Sequence, residues 1–297
     1  MRTVFLGTSA FAASVLRALA ASHHRPALVL TRPDRPRGRG RRLASPPVAE
    51  VARELGLALE QPASVNDDEV RARIAAAEPE AVCVCAFGAL IKEPLLSDYE
   101  MLNVHPSLLP RWRGAAPVER AIMAGDAETG VSIMRVTAGL DSGPVCARAS
   151  TPIGPTDTYG TLSRRLEGLG AQLLIDTLDR HPACVEQDEA GVTYAEKLTA
   201  EDRRLDPGRS AVELDRAIRA LSPHIGAAIE LPGGERLGIW EARPLPVAEG
   251  GPAPGELSVA GERPVLGCSP GALELVSVQP AGRRPMPAAD WLRGRRR

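Results

Sequence analysis

Three polar residues in the first half of the sequence have the types and spacing that acyl-transfer chemistry requires. Asn103 and His105 are two residues apart, so an extended backbone carries both side chains on one face. Pro106 follows directly and biases His105 away from helical geometry, which predicts that a strand ends there. Asp141 lies in a glycine-rich loop that also follows a predicted strand. Open α/β sheets bind ligands at the carboxyl ends of their strands, so we expect the three side chains at one sheet edge.

These side chains have complementary chemical abilities. An amide NH₂ group and an imidazolium can donate hydrogen bonds to a developing oxyanion. A carboxylate can keep an imidazole charged, or accept a proton from an attacking amine directly or through water. Each residue alone also has an ordinary structural explanation, as a satisfied histidine, a turn-forming asparagine or a turn aspartate. As a set, they favour acyl transfer without a covalent enzyme intermediate.

Other chemistries lack their motifs in this sequence. The one G-x-S-x-G sequence, residues 267–271 (GCSPG), lies between two predicted strands and not before a helix, so there is no nucleophile elbow and a serine hydrolase is not supported. There is no H-E-x-x-H sequence and no cysteine or histidine spacing typical of a metal site, so we expect no metal. The first glycine turn is not G-x-G-x-x-G, which disfavours a dinucleotide cofactor.

The N-terminal part of the chain predicts the opening of a doubly wound α/β sheet. An apolar strand at residues 3–6, a helix at residues 11–21 and a second strand at residues 27–30 form a β-α-β unit. Ser9 is placed to cap the helix. Residues 81–86 are entirely apolar, as in a strand that is buried on both faces.

Residues 31–47 have a different composition from the elements around them. Asp34 is the only acid, and glycines and prolines exclude a helix or a central strand, so we expect a mobile basic loop. Charge runs are often only solvated surface, but arginine at this density beside flexible glycine favours phosphate binding. The arginines in question are Arg32, Arg35, Arg37, Arg39, Arg41 and Arg42.

The second half of the chain predicts a separate, smaller β domain, as expected for a protein of 297 residues. The polar segment at residues 188–206 reads as an exposed linker between domains at residues 1–187 and 207–297. In the second domain, a short helix at residues 211–221 precedes brief strands separated by glycine and proline. That pattern is typical of a small OB-like β-barrel.

Bulk properties favour a cytoplasmic protein, and for its oligomeric state, which the sequence leaves open, a monomer is the simplest expectation. The formal net charge of −1 gives no global attraction to nucleic acid, so any such binding must come from local patches. Five cysteines form an odd, scattered set, which fits a reducing compartment and predicts no disulfide framework. No apolar run approaches the ~20 residues that span a bilayer, and the N-terminus does not resemble a signal peptide.

Residues 103–111 (NVHPSLLPR) and 113–117 (RGAAP) resemble the signature of the 10-formyltetrahydrofolate-dependent formyltransferases. Residues 139–143 (GLDSG) resemble the aspartate loop of the same family. The arginine-rich segment, residues 195–198 (AEKL) and residues 279–282 (QPAG) resemble the members that act on an aminoacyl-tRNA. The resemblance covers nearly the whole chain.

This resemblance implies a Rossmann-like catalytic domain followed by an OB-like domain. The formyl donor would be 10-formyltetrahydrofolate, and the acceptor would be the α-amino group of methionyl initiator tRNA, in translation initiation. Asn103, His105 and Asp141 match the catalytic residues of the family by position. The arginines of residues 32–42 are expected to bind tRNA phosphates. The residues expected to contact the folate are Ser107, Leu108, Leu109, Pro110, Phe87, Gly88, Ala89 and Leu90.

Two alternatives remain open at this point. The first is a formyltransferase that acts on a small amine such as a nucleotide amino sugar, which would need neither the basic loop nor the C-terminal domain. The second is a non-catalytic RNA-binding protein that keeps the fold. It would bind tRNA without any effect of folate and would transfer no formyl group.

Overall fold

A computed structural model of the chain describes residues 1–37, 42–231, 233–245 and 251–295. The chain divides into two compact units, each assembled from three segments. The first unit comprises Met1–Gly114, Glu128–Thr151 and Ser163–Tyr194, and the second comprises Ala115–Ala127, Pro152–Leu162 and Ala195–Arg297.

Strands and helices alternate along the first 180 residues. The strands are β1 (Thr3–Gly7), β2 (Pro26–Leu30), β3 (Arg35–Arg37), β4 (Arg42–Ala44), β5 (Leu59–Glu60), β6 (Ala81–Cys85), β7 (Met101–His105), β8 (Arg113–Gly114), β9 (Glu128–Arg135) and β10 (Val145–Pro152). The helices are α1 (Ala10–Ala21), α2 (Pro47–Glu54), α3 (Asp68–Ala76), α4 (Leu95–Asp98), α5 (Pro117–Ala124) and α6 (Tyr159–Arg180).

A seven-stranded sheet in the order β10-β9-β7-β6-β1-β2-β5 forms the centre of the first unit. Strands β1, β2, β5, β6 and β7 are parallel, and β9 pairs antiparallel to β7. Every residue of β1 and β6 is buried, as expected for apolar strands covered on both faces. The Ser9 hydroxyl accepts a hydrogen bond from the Ala12 N–H and caps α1, as predicted. The predicted α/β class is confirmed, and the carboxyl ends of β6 and β7 lie side by side.

The second unit is built around an antiparallel sheet in the order β12-β13-β16-β15-β14, with β17 paired to β16. Leu214 and Ile218, from the helix at Ala211–Leu221, pack against this sheet together with Trp291. From residue 194 onward, the elements of the chain are β11 (Tyr194–Ala195), α7 (Ala211–Leu221), β12 (Ala227–Glu230), β13 (Arg236–Leu245), β14 (Leu257–Ala260), β15 (Arg263–Gly267), β16 (Ala272–Pro280), β17 (Met286–Pro287) and α8 (Ala288–Arg295). Short 3-10 turns occur at Glu189–Gly191 and Glu201–Arg203. The predicted small β domain is confirmed.

The cysteines depart from expectation. Cys146 and Cys184 form a disulfide with an Sγ–Sγ distance of 2.12 Å, so the prediction of an unpaired set is wrong for these two residues. Val145 and Val185 pair as an antiparallel bridge, and this pairing places Cys146 opposite Cys184. A separation of 38 residues carries no sequence signal for this contact. Separately, no helix among the described residues has the length and apolarity that crossing a bilayer requires.

Candidate active site

Strand β7 presents the first two candidate residues at the carboxyl edge of the sheet. Asn103 pairs with Val84 of β6, and His105 pairs with Ser132 of β9. His105 is buried, with 4% of its surface exposed, whereas Asn103 is half-buried. Within the part of the chain that the structure describes, the Asn103 side chain has no hydrogen-bond partner, so its amide is available to a ligand.

Both ring nitrogens of His105 face a defined oxygen. Nε2 lies 2.9 Å from the carbonyl oxygen of Trp112. A carbonyl oxygen only accepts hydrogen bonds, so Nε2 carries a hydrogen. Nδ1 lies 3.6 Å from Oδ2 of Asp141. A second proton on the ring would therefore face a carboxylate, which gives this pair of side chains a place to hold one proton.

Asp141 reaches the histidine from the turn between β9 and β10. Its Oδ2 accepts a hydrogen bond from the backbone N–H of Gly114 at 2.8 Å. Its φ of 46° lies in the left-handed region, which residues with a side chain rarely adopt. Trp112 and Ala86, with φ of 64° and 43°, share this conformation at the same edge of the sheet. Strained backbone of this kind clusters at functional sites.

Three consecutive residues that are not among the predicted site residues hold this arrangement together. The carbonyl of Trp112 meets His105, and the N–H of Gly114 meets the Asp141 carboxylate. Between them, Arg113 is 3% exposed, and its Nε donates to Oε1 of Gln187 at 3.0 Å. Backbone groups make two of these contacts, so residue type gives no signal for them. Arg113 did have a sequence signal, because it is a charged residue within the RGAAP sequence.

The segment at residues 107–110 divides into supporting and accessible residues. The Ser107 hydroxyl is fully buried and donates to a backbone carbonyl four residues later at 2.6 Å. Leu109 is buried, and its N–H donates to the Ser132 hydroxyl, which in turn donates to the Ser107 carbonyl. Leu108 and Pro110 are half-buried. Of the four predicted folate contacts here, these two keep side-chain surface for a ligand.

The other predicted folate segment, residues 87–90, leaves β6 directly beside β7. Phe87 is buried, whereas Leu90 is 66% exposed. Gly88 has φ of 71°, and among the described residues other than Gly88 and its two chain neighbours, no heavy atom lies within 4 Å of the position that a Cβ would take there. Ala89 is half-buried and packs against the core of the first unit. The segment therefore offers open backbone at Gly88 and apolar surface at Leu90.

The arginine-rich segment is more ordered than predicted. Strands β3 and β4 pair antiparallel, with Arg37 opposite Arg42, so the prediction of an irregular loop is corrected where these short strands form. A two-stranded ribbon tolerates the prolines because few of its N–H groups need a partner. The predicted phosphate-binding arginines lie as follows: Arg32 is half-buried, Arg35 and Arg42 are exposed, Arg37 is described only in its backbone, and Arg39 and Arg41 lie outside the described residues.

The only acid of this segment is engaged at the base of the ribbon. Asp34 accepts hydrogen bonds from Gln61 at 2.7 Å and from the Ser45 hydroxyl at 3.0 Å. These hydrogen bonds, the one from Gln61 first, lower the pKa of the Asp34 carboxyl. Asp34 thus anchors the ribbon, and its partners are neutral side chains.

One group of three potential metal ligands occurs among the described residues, at His23, His24 and Asp179. His24 is buried, and its Nδ1 lies 2.9 Å from the α-amino group of Met1. An ammonium group only donates, so Nδ1 accepts and Nε2 carries the hydrogen that points to Asp179 at 2.8 Å. Hydrogen bonds from the two histidines, that of His24 first, lower the pKa of Asp179. The group is satisfied as a hydrogen-bond chain.

Comparison with known proteins identifies the family. The formyl transferase family model matches residues 1–178, and the formyl transferase C-terminal domain model matches residues 197–296. The methionyl-tRNA formyltransferase of Methylococcus capsulatus is 46% identical to the chain over 98% of its length and 96% of the relative's length. The chain belongs to the methionyl-tRNA formyltransferase family.

Solved structures share the fold of this methionyl-tRNA formyltransferase family member at low sequence identity. An N-formyltransferase from Helicobacter canadensis, in complex with folinic acid and dTDP-3-aminofucose, is 14% identical with a TM-score of 0.67. The match covers 93% of this chain and 98% of that one. HypX from Aquifex aeolicus, in complex with tetrahydrofolic acid, is 19% identical with a TM-score of 0.65. That match covers 98% of this chain but only 47% of HypX. Both likenesses concern the fold alone.

Proposed function

We propose that the chain transfers the formyl group of 10-formyltetrahydrofolate to the α-amino group of methionyl initiator tRNA, with Asn103, His105 and Asp141 as catalytic residues. The observation that carries the proposal is the 3.6 Å approach of the Asp141 carboxylate to His105, beside an Asn103 amide that no described residue uses. Amide formation from a neutral amine needs an oxyanion donor and a proton acceptor, and this group of side chains supplies both.

The reaction divides between these side chains as follows. Asn103 donates its N–H to the formyl oxygen as negative charge develops there during attack by the α-amine. The nitrogen that attacks loses a proton, which the Asp141 and His105 pair accepts directly or through one water. The same pair returns the proton to N10 of the folate as the carbon–nitrogen bond breaks. The products are formylmethionyl-tRNA and tetrahydrofolate, with no net change in the protein.

The donor site in this proposal lies at the edge of β6 and β7. Gly88 leaves open space beside its backbone, and Leu90 exposes an apolar side chain there. Flat heteroaromatic rings bind well where backbone polar groups and apolar surface alternate. Leu108 and Pro110 add half-buried apolar surface next to Asn103 in sequence. We therefore assign these four residues, rather than the buried Ser107, Leu109 and Phe87 side chains, to direct contact with the folate.

Isosteric variants test the catalytic assignment. Asn103→Asp removes the amide donor, and Asp141→Asn removes the proton acceptor. We expect each to lower kcat by about 10²–10³ while the Kd for methionyl-tRNA stays the same. Asp179→Asn is the matched control, because Asp179 also contacts histidine imidazoles but lies at the His23 and His24 group. Single-turnover formylation with labelled formyl donor gives the rates. Near-normal rates in both variants would contradict the mechanism.

The arginine ribbon tests the acceptor. Replacing Arg35 and Arg42 with alanine removes two exposed charges. We therefore expect the Kd for tRNA to rise about tenfold, and the slope of log Kd against log salt concentration to fall by about one to two. The kcat at saturating tRNA should not change. Arg2→Ala with Arg17→Ala is the control that removes equal charge elsewhere. Equal loss of tRNA affinity in both double variants would contradict a specific role for the ribbon.

The alternatives give different outcomes in the same assays. A small-amine enzyme would formylate a nucleotide amino sugar and would be insensitive to both arginine replacements. A non-catalytic RNA-binding protein would bind tRNA and yield no formylmethionyl product. The exposed arginines of β3 and β4, with Asp34 already engaged by neutral partners, support the tRNA substrate.

A further inference from the structure

The turn that carries Asp141 is held by a side chain from a distant segment. Nε2 of Gln187 donates to the backbone carbonyls of Asp141 and Gly143, both at 2.8 Å. Gln187 is 8% exposed, so losing these bonds would leave carbonyls without a partner in a largely dry environment. Because the two carbonyls flank Ser142, one amide group fixes the backbone path on both sides of it.

Arg113 determines which way the Gln187 amide points. An amide can bind in two orientations related by a 180° flip, and only one of them directs NH₂ at the carbonyls of the turn. The guanidinium of Arg113 only donates, and its Nε lies 3.0 Å from Oε1 of Gln187. It therefore selects the orientation that holds the turn. Glu189 accepts from Nη2 of Arg113 at 3.0 Å and holds the guanidinium in place.

The segment that bears Gln187 is fixed to the strand into which the turn runs. The backbones of Val145 and Val185 exchange two hydrogen bonds, at 2.8 and 2.9 Å. The disulfide between Cys146 and Cys184 ties the adjacent pair. Gln187 lies two residues after Val185. Its amide is therefore held at a fixed position relative to β10.

These contacts reach both the side chain and the backbone of Asp141 from one short strand, β8. Gly114 of β8 donates to the Asp141 carboxylate, while Arg113 of the same strand acts on the backbone of Asp141 through Gln187. Side chain and backbone of Asp141 are thus both positioned from β8. The carboxylate is only 16% exposed and has little freedom to adjust on its own.

We propose that Gln187 is a positioning residue for Asp141 in formyl transfer, and that Arg113 acts through it by orienting its amide. The inference rests on the proposed function, because Gln187 affects the rate only if Asp141 is catalytic. Misplacement of a reacting group by about 1 Å can cost on the order of 10²-fold in rate. The separation of 3.6 Å between Asp141 and His105 is the distance that Gln187 maintains.

The experiment compares Gln187→Glu in two backgrounds. This change keeps the shape of the side chain but replaces the NH₂ donor with an oxygen that repels both carbonyls. In the otherwise wild-type enzyme we expect kcat to fall about 10- to 100-fold, with KM for tRNA and for the formyl donor within about twofold. In the Asp141→Asn background we expect less than about a twofold further loss, because the residue that Gln187 positions is already inactive.

Two further variants separate positioning from general damage. Gln279→Glu is the matched control, since Gln279 also donates to a backbone carbonyl and accepts from a side-chain N–H, that of Trp240; it should keep the wild-type kcat. Arg113→Lys keeps the charge but loses the guanidinium fork, and should reproduce the Gln187→Glu pattern. Circular dichroism and thermal unfolding show whether each variant is folded. If Gln187→Glu does not fold, Arg113→Lys tests the proposal in its place.

The outcomes distinguish this inference from the function on which it rests. An unchanged kcat in Gln187→Glu, or an equal loss in both backgrounds, would overturn the positioning role and leave the formyl-transfer proposal intact. Full activity in Asp141→Asn alone would instead contradict the proposed catalytic residues. A loss that disappears in the Asp141→Asn background supports the inference.

Discussion

At the residue scale, the two carboxylate oxygens of Asp141 have different environments. Oδ2 accepts from the Gly114 N–H and faces Nδ1 of His105. Among the described residues, no hydrogen bond reaches Oδ1, so in the proposed reaction that oxygen can accept one from an incoming amine or a bridging water. A carboxylate used this way keeps its orientation through one oxygen while the other exchanges a proton with substrate. In the proposed mechanism, Oδ2 fixes the orientation of the carboxylate, and Oδ1 is free to meet the substrate.

Residue types predicted the candidate catalytic side chains but not the residues that contact them. Asn103, His105 and Asp141 could be proposed because amide, imidazole and carboxylate chemistry belongs to the side chain itself. Gln187 could not, because its partners are backbone carbonyls and a distant guanidinium that come together only after folding. The sequence also did not predict which side chains of the candidate folate segments are buried. Ser107 was expected at the folate, yet its hydroxyl is buried and bonded within its own segment.

At the element scale, the start of α7 is stabilised by a capping box that depends on pH. Ser210 and Glu213 each bond the backbone N–H of the other, and Arg209 pairs with Glu213 at 2.9 Å. Hydrogen bonds from Arg209, then from Ser210, lower the pKa of Glu213 from 4.5 to about 2. A carboxyl with a lowered folded-state pKa adds stability that is complete above its unfolded pKa and is lost as pH falls. The window for Glu213 therefore runs from about pH 4.5 down to about pH 2.

Glu213→Gln tests this cap. We expect the variant to be about 0.5–1 kcal/mol less stable than wild type at pH 7, as for caps and exposed ion pairs, and the difference to vanish as pH falls toward 2. Urea unfolding followed by tryptophan fluorescence at a series of pH values measures it. Glu69→Gln is the control, since Glu69 forms an exposed i,i+4 pair with Arg73 without a cap. A difference that stays constant from pH 7 to pH 2 would contradict the cap.

Elements were predictable where their signals are local. The helix expected at residues 211–221 coincides with α7, because the cap and the apolar spacing lie within the helix and the residues just before it. The ribbon of β3 and β4 was not predicted, because its prolines argue against strands and only the pairing across the turn overrides them. β17 is two residues long and was missed, since it is defined by its partner β16.

At the scale of the whole molecule, the sequence predicted two units but not which segments build each one. Helix α5 and residues 152–162 group with the C-terminal unit, although α5 lies between β7 and β9 in sequence and residues 152–162 directly follow β10, all three being strands of the first sheet. α5 packs against α7, and Glu119 on α5 lies 3.0 Å from His224. An amphipathic pattern shows that a helix has an apolar face, but not which core that face joins. Such long-range choices are settled by packing.

Five cysteines spread over the molecule provide a test of the whole fold by thiol counting. Protein purified without reductant should show three reactive thiols when unfolded and essentially no fast-reacting thiol when native. Cys146 and Cys184 are paired, while Cys83, Cys85 and Cys268 are buried. Burial raises the pKa of Cys83 to about 12 and that of Cys268 to about 11, which suppresses the reactive thiolate.

The same measurement examines what the disulfide contributes. Cross-linking across 38 residues restricts the unfolded chain and should stabilise the fold by about 3–4 kcal/mol, so reduction should lower the urea midpoint and raise the count in unfolded protein to five. Cys268→Ser is the control: it should reduce the non-reduced count to two without changing the effect of reductant. Five thiols in unfolded, non-reduced protein would contradict the pairing. The segment before Gln187 would then be attached to β10 by the Val145 and Val185 backbone hydrogen bonds without a covalent cross-link.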